Sequence, residues 1–438
     1  FFFQAEDGIR DKLVTGVQTC ALPILIGEQP NVEASELPDS VAQSFLGTRI
    51  GCARCHNHPL ERYTQDDFYH FAAFFSRISM AREKPETGAT TLHVATREEL
   101  DQERWVAEQE GRVAEAESVV LAYGEEPGRE GPILRLAEEV GRLDEARRKA
   151  AELRARPPTV RQPRTGRDLP PRGLDRMPVR WTPGTDPREA FVDALVRSDQ
   201  FAAAMVNRLW KHFFHTGLVE PVDDLRASNP ASNPELLELL SREFRTHGFD
   251  LRHMMSLILN SRAYQLSSAT LPGNETDARF YSHFYARRLD AEVLLDAISS
   301  ATDSPVKFDG HPAGIRATQL PEPNVGSYFL TLFGRSDRVT ACACERNGDV
   351  TLPQLLHLRN GEELRRQIAD ENGRLAGLMK LSDNQAVTGR LFLAALNRPP
   401  TGRELAAVMD SLAHGPREQV FQDLFWALIN SKEFSFNH

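Results

Sequence analysis

The sequence predicts a mainly α protein: a multi-helix domain, a helical hairpin at about 97–155 and an irregular, loop-rich insert at about 302–350. Three observations predict this class. Apolar residues recur at helical spacing through much of the chain. Helix-start signals such as Asp186-Pro187 and Asn233-Pro234 precede several of these segments. Mixed charge with alanine and leucine dominates the hairpin region, and the length of 438 residues suggests two or three domains.

Composition and charge limit the class of function. The chain is 41% hydrophobic and 26% charged, which is typical of a globular protein. Its net charge of −10 repels phosphate backbones, so we expect no nucleic-acid partner. No apolar run approaches the length of a membrane span, so we expect no transmembrane segment in this fragment.

The first residues are interpreted separately from the rest. Residues 1–24 have no clean helical or strand period and resemble translated sequencing-adapter read-through. We interpret them as an artefact and exclude them from fold reasoning, as one excludes a tag. We also expect the natural N-terminal part of the same chain to be missing. Without Cys20, four of the five cysteines remain to be explained: Cys52, Cys55, Cys342 and Cys344.

A cysteine–histidine loop lies between two predicted helices at 25–96. Apolar residues at helical spacing after Glu36 lead into the loop. After it, Thr64 as N-cap and Asp67 three positions later predict a capping box. Four apolar residues then fall at i, i+3, i+4 and i+7, which predicts one buried helix face: Phe68, Phe71, Ala72 and Phe75.

Two antiparallel helices are predicted at 97–155. A Gly-Glu-Glu-Pro-Gly turn at 124–128 interrupts the charged run. In the second helix, spacings of three and four predict the narrow seam of a coiled coil: Ile133, Leu136, Val140, Leu143, Ala146 and Ala150. Residues 156–185, rich in proline and arginine, predict an extended linker between domains.

The remainder, 186–438, predicts a C-terminal α-helical domain. Asp250 opens one amphipathic helix, 280–301 predicts another, and Thr401 caps a third. Repeated glycine and proline predict the irregular insert, with short extended pieces such as 327–333. Irregular segments of that length are usually functional or disordered.

The chemistry is predicted to lie first at Cys52-x-x-Cys55-His56. This is the attachment pattern of c-type haem (heme c), in which two thiols bond to the vinyl groups and the histidine ligates the iron. It is also half of many zinc sites. His58 follows two positions later as a further candidate ligand.

A second cysteine pair, Cys342 and Cys344, lies in the predicted insert. A Cys-x-Cys pair is too tight for a relaxed disulfide within itself, yet it presents two sulfurs to one metal. With Cys52 and Cys55 it completes the four thiolates of a structural zinc or iron site, in which a histidine of the loop replaces one sulfur as a variant. Haem c and disulfides stay open beside this metal or thiolate site.

The loop also suggests a hydrolytic site, because His56, His58, Asp66 and Asp67 lie close together in sequence. The capping role of Asp67 weakens this interpretation. No phosphate-binding loop, nucleophile elbow or His-Glu-x-x-His motif occurs. Whether the chain is an enzyme therefore stays open.

Several long motifs occur in the order typical of one family. They include residues 45–75 around the loop, 202–226, 233–268 and the Cys342-x-Cys344-Glu345-Arg346 segment. The chain resembles the C-terminal part of the planctomycete-type cytochrome-C-like domain of unknown function over about 35–80. Over 186–438 it resembles the companion C-terminal planctomycete domain of unknown function.

The resemblance implies an exported protein of the periplasm or cell surface, with an envelope or redox protein as partner. Residues 25–96 are then the end of the cytochrome-C-like domain. The first family motif is matched by Cys52, Cys55, His56 and His58. The second motif, in the companion domain, is matched by Cys342, Cys344, Glu345 and Arg346. The prediction is an exported metal-binding protein of unknown activity, with haem c electron transfer and hydrolysis of cell-envelope polymers as alternatives.

Overall fold

The computed structural model describes residues 36–82, 90–182, 185–321, 325–336, 353–354 and 361–437, with the backbone alone at 79–82 and 90–93. These residues are mainly α-helical, which confirms the predicted fold class. The strands among them are short and pair two by two, always antiparallel. Among the described residues, no helix has both the length and the apolar character that a bilayer span requires.

The chain divides into two compact units. The first comprises the described residues up to Arg208 together with Val219–Phe249. Its helices are α1 (Leu37–Val41), α2 (Gln65–Ala72), α3 (Arg97–Tyr123), α4 (Glu130–Ala155), α5 (Pro187–Arg197), part of α6 (Asp199–Phe214) and α7 (Pro234–Thr246). Its strand pairs are β1 (Ser79–Arg82) with β2 (Thr90–His93) and β3 (Val160–Arg161) with β4 (Asp168–Leu169).

Helix α2 has both features that the sequence predicts, a capping box at its start and a buried apolar face. The Thr64 hydroxyl accepts a hydrogen bond from the Asp67 backbone N–H, and the Asp67 carboxylate accepts one from the Thr64 N–H, so the predicted capping box is confirmed. The predicted apolar face is buried. Phe71 meets Phe191 of α5 edge to face at a ring distance of 5.4 Å, which joins α2 to the core of this unit.

The predicted hairpin is confirmed as α3 and α4, but its seam differs from the prediction at two positions. Leu143 and Ala146 face the partner helix as predicted. Val140 is 39% exposed, whereas the neighbouring Glu139 is 8% exposed and takes its place in the seam. The Arg142 guanidinium donates to Glu139 Oε1 over 3.0 Å and offsets part of the cost of burying that carboxylate. Ile133, also predicted in the seam, is exposed.

The proline- and arginine-rich segment packs within the first unit. Gln162 beside β3 is fully buried, and Leu169 and Leu174 are buried too. The Arg172 N–H donates to the His70 carbonyl oxygen of α2 over 3.1 Å. The segment thus contributes to the structure around α2, while the predicted domain boundaries stay predictions.

The second unit comprises Leu209–Leu218 and the described residues from Asp250 onward. Its helices are α8 (Leu251–Leu259), α9 (Ala291–Thr302), α10 (Tyr328–Leu332), α11 (Glu362–Ile368), α12 (Arg374–Leu378), α13 (Asn384–Leu396), α14 (Gly402–His414), α15 (Arg417–Ile429) and α16 (Lys432–Ser435). Strands β5 (Arg287–Arg288) and β6 (Phe436–Asn437) pair. A core of its own surrounds α9, with Leu294, Phe421 and Phe425 almost fully buried.

Two predictions in this unit are wrong. The helix predicted at 280–301 begins at Ala291, because Tyr281 adopts a positive φ and Arg287–Arg288 pairs with the C-terminal strand. The extended piece predicted at 327–333 is helix α10, since the Ser327 hydroxyl accepts a hydrogen bond from the Leu330 N–H as an N-cap. The rest of the predicted insert lies partly outside the described residues.

Candidate functional site

The cysteine–histidine turn (residues 51–58) begins with one turn of 3₁₀ helix, Gly51–Arg54. Cys52 and Cys55 carry free, exposed thiols. Ala53 between them is 0% exposed and fixes the turn to the core beneath. The Cys55 N–H donates to the Cys52 carbonyl oxygen. Because residues three apart lie above one another in 3₁₀ geometry, this hydrogen bond places Cys55 one turn after Cys52 on the same side of the turn.

Side chains of α2 fix the turn by hydrogen bonds to its backbone carbonyl oxygens. Gln65, 5% exposed, donates through Nε2 to the carbonyl oxygens of Arg54 and Cys55 over 3.0 and 3.4 Å. The Tyr69 hydroxyl donates to the same Arg54 oxygen over 3.2 Å. Gln162 donates to Gln65 Oε1 over 3.1 Å and fixes that amide in turn. Such buried networks are rigid because each lost bond leaves an unpaired polar group.

The chain that enters the turn is fixed by two carboxylates. Asp39 of α1 accepts the Ile50 N–H over 3.1 Å. A Cβ on Gly51 would lie 3.0 Å from Asp39 Oδ2, so glycine permits this close approach. Arg49 donates to the fully buried Asp223 over 2.6 Å, and Gln43 donates to the same carboxylate.

Arg208 is a second, partly buried cation near Asp223. It donates to the Gln43 carbonyl oxygen over 2.8 Å. Burial lowers the pKa of the Arg208 guanidinium, and the negative charge of Asp223 opposes that shift. The chain that enters the turn is therefore fixed by a charge network centred on the buried Asp223.

Asp175 fixes the chain where it leaves the cysteine–histidine turn. The Tyr63 hydroxyl donates to Asp175 Oδ2 over 2.8 Å, and Arg62 Nε donates to Oδ1 over 2.7 Å. Burial, and next the charge of Asp175, raise the pKa of Tyr63. The Tyr63 carbonyl accepts the His58 N–H over 2.8 Å, so this contact reaches the turn itself.

The two histidines of the turn differ in what they can ligate. His56 Nδ1 lies 2.7 Å from the Asn57 carbonyl oxygen, an acceptor, which assigns the proton to Nδ1 and leaves the Nε2 lone pair available. His58 Nδ1 accepts the Leu60 N–H over 3.2 Å, which assigns the proton of the neutral ring to Nε2. His56 can thus bind a metal through Nε2 in this arrangement, whereas Nδ1 of His58 already accepts a hydrogen bond within the loop.

The predicted ligands of the turn are neighbours without forming a closed metal cage. Within the described part of the chain, no three of the ligand atoms of Cys52, Cys55, His56 and His58 lie within 4.8 Å of one another. Two cysteines on one side of the turn and an adjacent imidazole suit zinc, iron or the attachment of haem c. Any of these requires a side-chain rotation in this exposed turn.

Cys342 and Cys344 lie outside the described residues. The four-cysteine site therefore stays a prediction.

The carboxylates of the suggested hydrolytic cluster form ion pairs and hydrogen bonds with other residues. Asp66 forms an ion pair with Arg167 and also accepts from Gln162. Asp67 pairs with Arg172 over 2.8 Å besides its capping role. Burial alone raises the pKa of Asp67, but its hydrogen bonds with Thr64 and Arg172 lower it overall. These contacts favour structural roles for both aspartates.

The supporting residues of the turn were not predicted. Gln65 carried one usable signal, because it lies three positions before Phe68 and thus interrupts the buried stripe of α2 with a polar residue. Asp223 and Gln162 carried no such signal, since their contacts with Arg49 and Gln65 span 174 and 97 positions of sequence.

Comparison with known proteins gives two family matches. Residues 187–412, just over half of the chain, match the family described as "Protein of unknown function (DUF1553)". Residues 24–80, which contain the cysteine–histidine turn, match the family described as "Protein of unknown function (DUF1549)". No curated protein and no solved structure matches the chain. Both families are planctomycete-type domains, so the predicted resemblance is confirmed.

Proposed function

The chain belongs to the planctomycete-type family of unknown function (DUF1553) and also carries the DUF1549 turn, and we propose that it is a metal-binding protein with Cys52, Cys55 and His56 as ligands. One observation carries the proposal. Two cysteines with exposed thiols lie one 3₁₀ turn apart, next to an imidazole whose Nδ1 contacts a backbone carbonyl oxygen.

The donor set decides which metal is proposed. Thiolates are soft ligands, and with imidazole they favour zinc or iron over calcium and magnesium. A metal bound here would supply structural cross-linking of the turn. The protein's own contribution is a prearranged backbone, since Gln65, Tyr69 and Asp39 already fix the segment that carries the sulfurs.

Metal content and cobalt titration test this function. The full chain, stripped with a chelator, should bind one equivalent of zinc, and cobalt(II) should give the near-ultraviolet absorption of thiolate ligation. Cys52→Ser and His56→Ala should weaken zinc binding at least tenfold. His58→Ala is the matched control and should bind like the unaltered chain. Equal losses in His56→Ala and His58→Ala, or no cobalt–thiolate absorption, would contradict the proposal.

Haem c is the second candidate, and the same histidine favours it. The His56 Nδ1–Asn57 contact leaves Nε2 for an axial iron bond, and exposed thiols can reach vinyl groups. Expression together with a cytochrome c maturation system tests it. A Soret band that survives denaturation and disappears in Cys52→Ser would support haem attachment, whereas a colourless chain would eliminate it.

An exported location belongs to the same proposal, as the family resemblance implies. Fractionation of the source organism's cells with an antibody against the chain tests it. Recovery in the periplasmic or surface fraction is expected, and recovery in the cytoplasmic fraction would contradict it.

A further inference from the structure

We propose that Cys52 and Cys55 form a reversible redox pair, which closes to a disulfide by exchange with small or protein disulfides and thereby releases bound metal. The release of metal rests on the proposed function. The redox pair itself does not, because its geometry is independent of any ligand.

The geometry of the turn suits closure. A 3₁₀ helix rises by about 2.0 Å per residue, so ideal geometry places Cα atoms three residues apart at about 6 Å. Cys55 directly follows the 3₁₀ turn that contains Cys52. Disulfides usually join Cα atoms that are 4.4–6.8 Å apart. Both thiols are exposed, so a disulfide reagent reaches either sulfur. Closure therefore needs side-chain rotation with little change of the backbone.

The supports of the turn keep this geometry in place. Ala53 is buried between the cysteines, and the Arg54 and Cys55 carbonyls are held by Gln65. A turn that is fixed in one conformation has a high effective concentration of one thiol at the other. This favours an internal disulfide over a lasting mixed disulfide with the reagent.

The exchange balances in two steps. The thiolate of one cysteine attacks the reagent disulfide, so that a mixed disulfide forms and one reagent thiol leaves. The second cysteine then attacks the protein sulfur of the mixed disulfide, which closes the Cys52–Cys55 bond and releases the second reagent thiol. The pair loses two electrons and two protons, and the reagent disulfide is reduced to two thiols.

Metal and disulfide compete for the same sulfurs. A metal uses the thiolate lone pairs, and a disulfide no longer offers thiolates. Oxidation should therefore expel the metal, and bound metal should slow oxidation.

The sequence supplies a direct readout of the bond. Trypsin cleaves after Arg49, Arg54 and Arg62, which separates Cys52 in peptide 50–54 from Cys55 in peptide 55–62. An internal disulfide joins these peptides, and its reduction releases them. The full chain, stripped of metal, is equilibrated with glutathione and glutathione disulfide at ratios from fully reducing to fully oxidising, alkylated and digested.

We expect the joined peptide to become the dominant species as glutathione disulfide comes into excess, and to disappear with dithiothreitol. Zinc-loaded protein should oxidise more slowly and release its zinc as the joined peptide appears. In the metal-free chain, a variant with Cys20→Ser, Cys342→Ser and Cys344→Ser is the control for disulfides with the other cysteines and should form the same joined peptide. Peptides that stay reduced or carry only glutathione adducts would overturn the redox pair.

The redox pair and the metal-binding function can each be contradicted without affecting the other. A joined peptide in a chain that binds no zinc would leave the redox pair standing and remove the metal function. Zinc binding in a chain that never forms the joined peptide would do the reverse. Zinc that stays bound while the joined peptide accumulates would overturn the coupling between them.

Discussion

Gln162 donates a hydrogen bond from its side-chain amide to Gln65 Oε1 over 3.1 Å, and both side chains are buried. Gln65 in turn donates to the carbonyl oxygens of Arg54 and Cys55. A residue of the proline- and arginine-rich segment thus supports the cysteine–histidine turn through one intervening side chain. Buried amides tolerate little rearrangement, because each unmade bond costs free energy.

Replacement of Gln65 tests this support. Gln65→Leu should lower the free energy of unfolding by about 1–3 kcal/mol, since Gln162 and two carbonyls lose a partner. It should also weaken zinc binding in the titration proposed above. Urea unfolding gives the first value, and Gln419→Leu, at an exposed glutamine, should stay within about 0.5 kcal/mol of the unaltered chain. Unchanged stability and zinc affinity in Gln65→Leu would show that the turn does not depend on this amide.

Local signals in the sequence predicted a large part of the fold. Thr64 and Asp67 are three positions apart, so their capping box depends on nothing distant. The hairpin seam shows the limit of such reasoning. Spacings of three and four allowed Val140 to face the partner helix, yet Glu139 occupies that position. The hydrophobic pattern carries no information on which polar residues tertiary packing will bury.

The candidate site was predictable in its ligands and not in its supports. Cys52, Cys55 and His56 are adjacent, so their spacing alone indicates their chemistry. The roles of Gln162 and Asp223 depend on contacts across 97 and 174 positions, which a single sequence does not encode in any local pattern. The different roles of His56 and His58 depend on backbone geometry within the loop.

Arg398 between two carboxylates predicts a pH dependence in the second unit. It makes two hydrogen bonds each to Glu433 and Glu404. Hydrogen bonds from Arg398, and next from Thr401, lower the pKa of Glu404 from 4.5 to about 2. A lowered pKa means that the stabilisation is fully present above pH 4.5 and is lost as pH falls from there towards 2.

Glu404→Gln should therefore be less stable than the unaltered chain near neutral pH, and the difference should shrink as pH falls through that window. Thermal unfolding at a series of pH values measures it. Because these side chains are partly exposed, added salt should reduce the difference as well. Glu418→Gln, in the first turn of α15, is the control. A difference that stays constant down to pH 2 would contradict the role of this carboxylate.

Arg288 in β5 should not be replaceable by lysine. Its guanidinium donates to the Phe333 carbonyl oxygen and to Gln354 Oε1 over 3.0 and 3.1 Å, and lies 5.3 Å from the Phe333 ring centroid. Lysine lacks the planar fork that makes these contacts together. Arg288→Lys should lower the free energy of unfolding by about 1–3 kcal/mol in urea titrations. Arg287→Lys, at the adjacent position of β5, is the control, and equal effects of the two would contradict the assignment.

Gln109 in the hairpin should be destabilising as it stands. It is 0% exposed, and within the described residues neither its Nε2 nor its Oε1 has a hydrogen-bond partner. Gln109→Leu removes a buried, unpaired amide and adds apolar contact, so the free energy of unfolding should rise by about 1–3 kcal/mol.

Gln102 is the matched control, because it lies two helical turns earlier in the same seam and donates through Nε2 to the Ala146 carbonyl oxygen over 3.1 Å. Gln102→Leu loses that bond and should be neutral or destabilising by about 1 kcal/mol. Urea unfolding of both variants separates the two cases. If Gln109→Leu also lowered the free energy of unfolding, the Gln109 amide would have a hydrogen-bond partner in solution. The buried glutamines would then fix the pairing of α3 and α4, as polar core positions do in coiled coils.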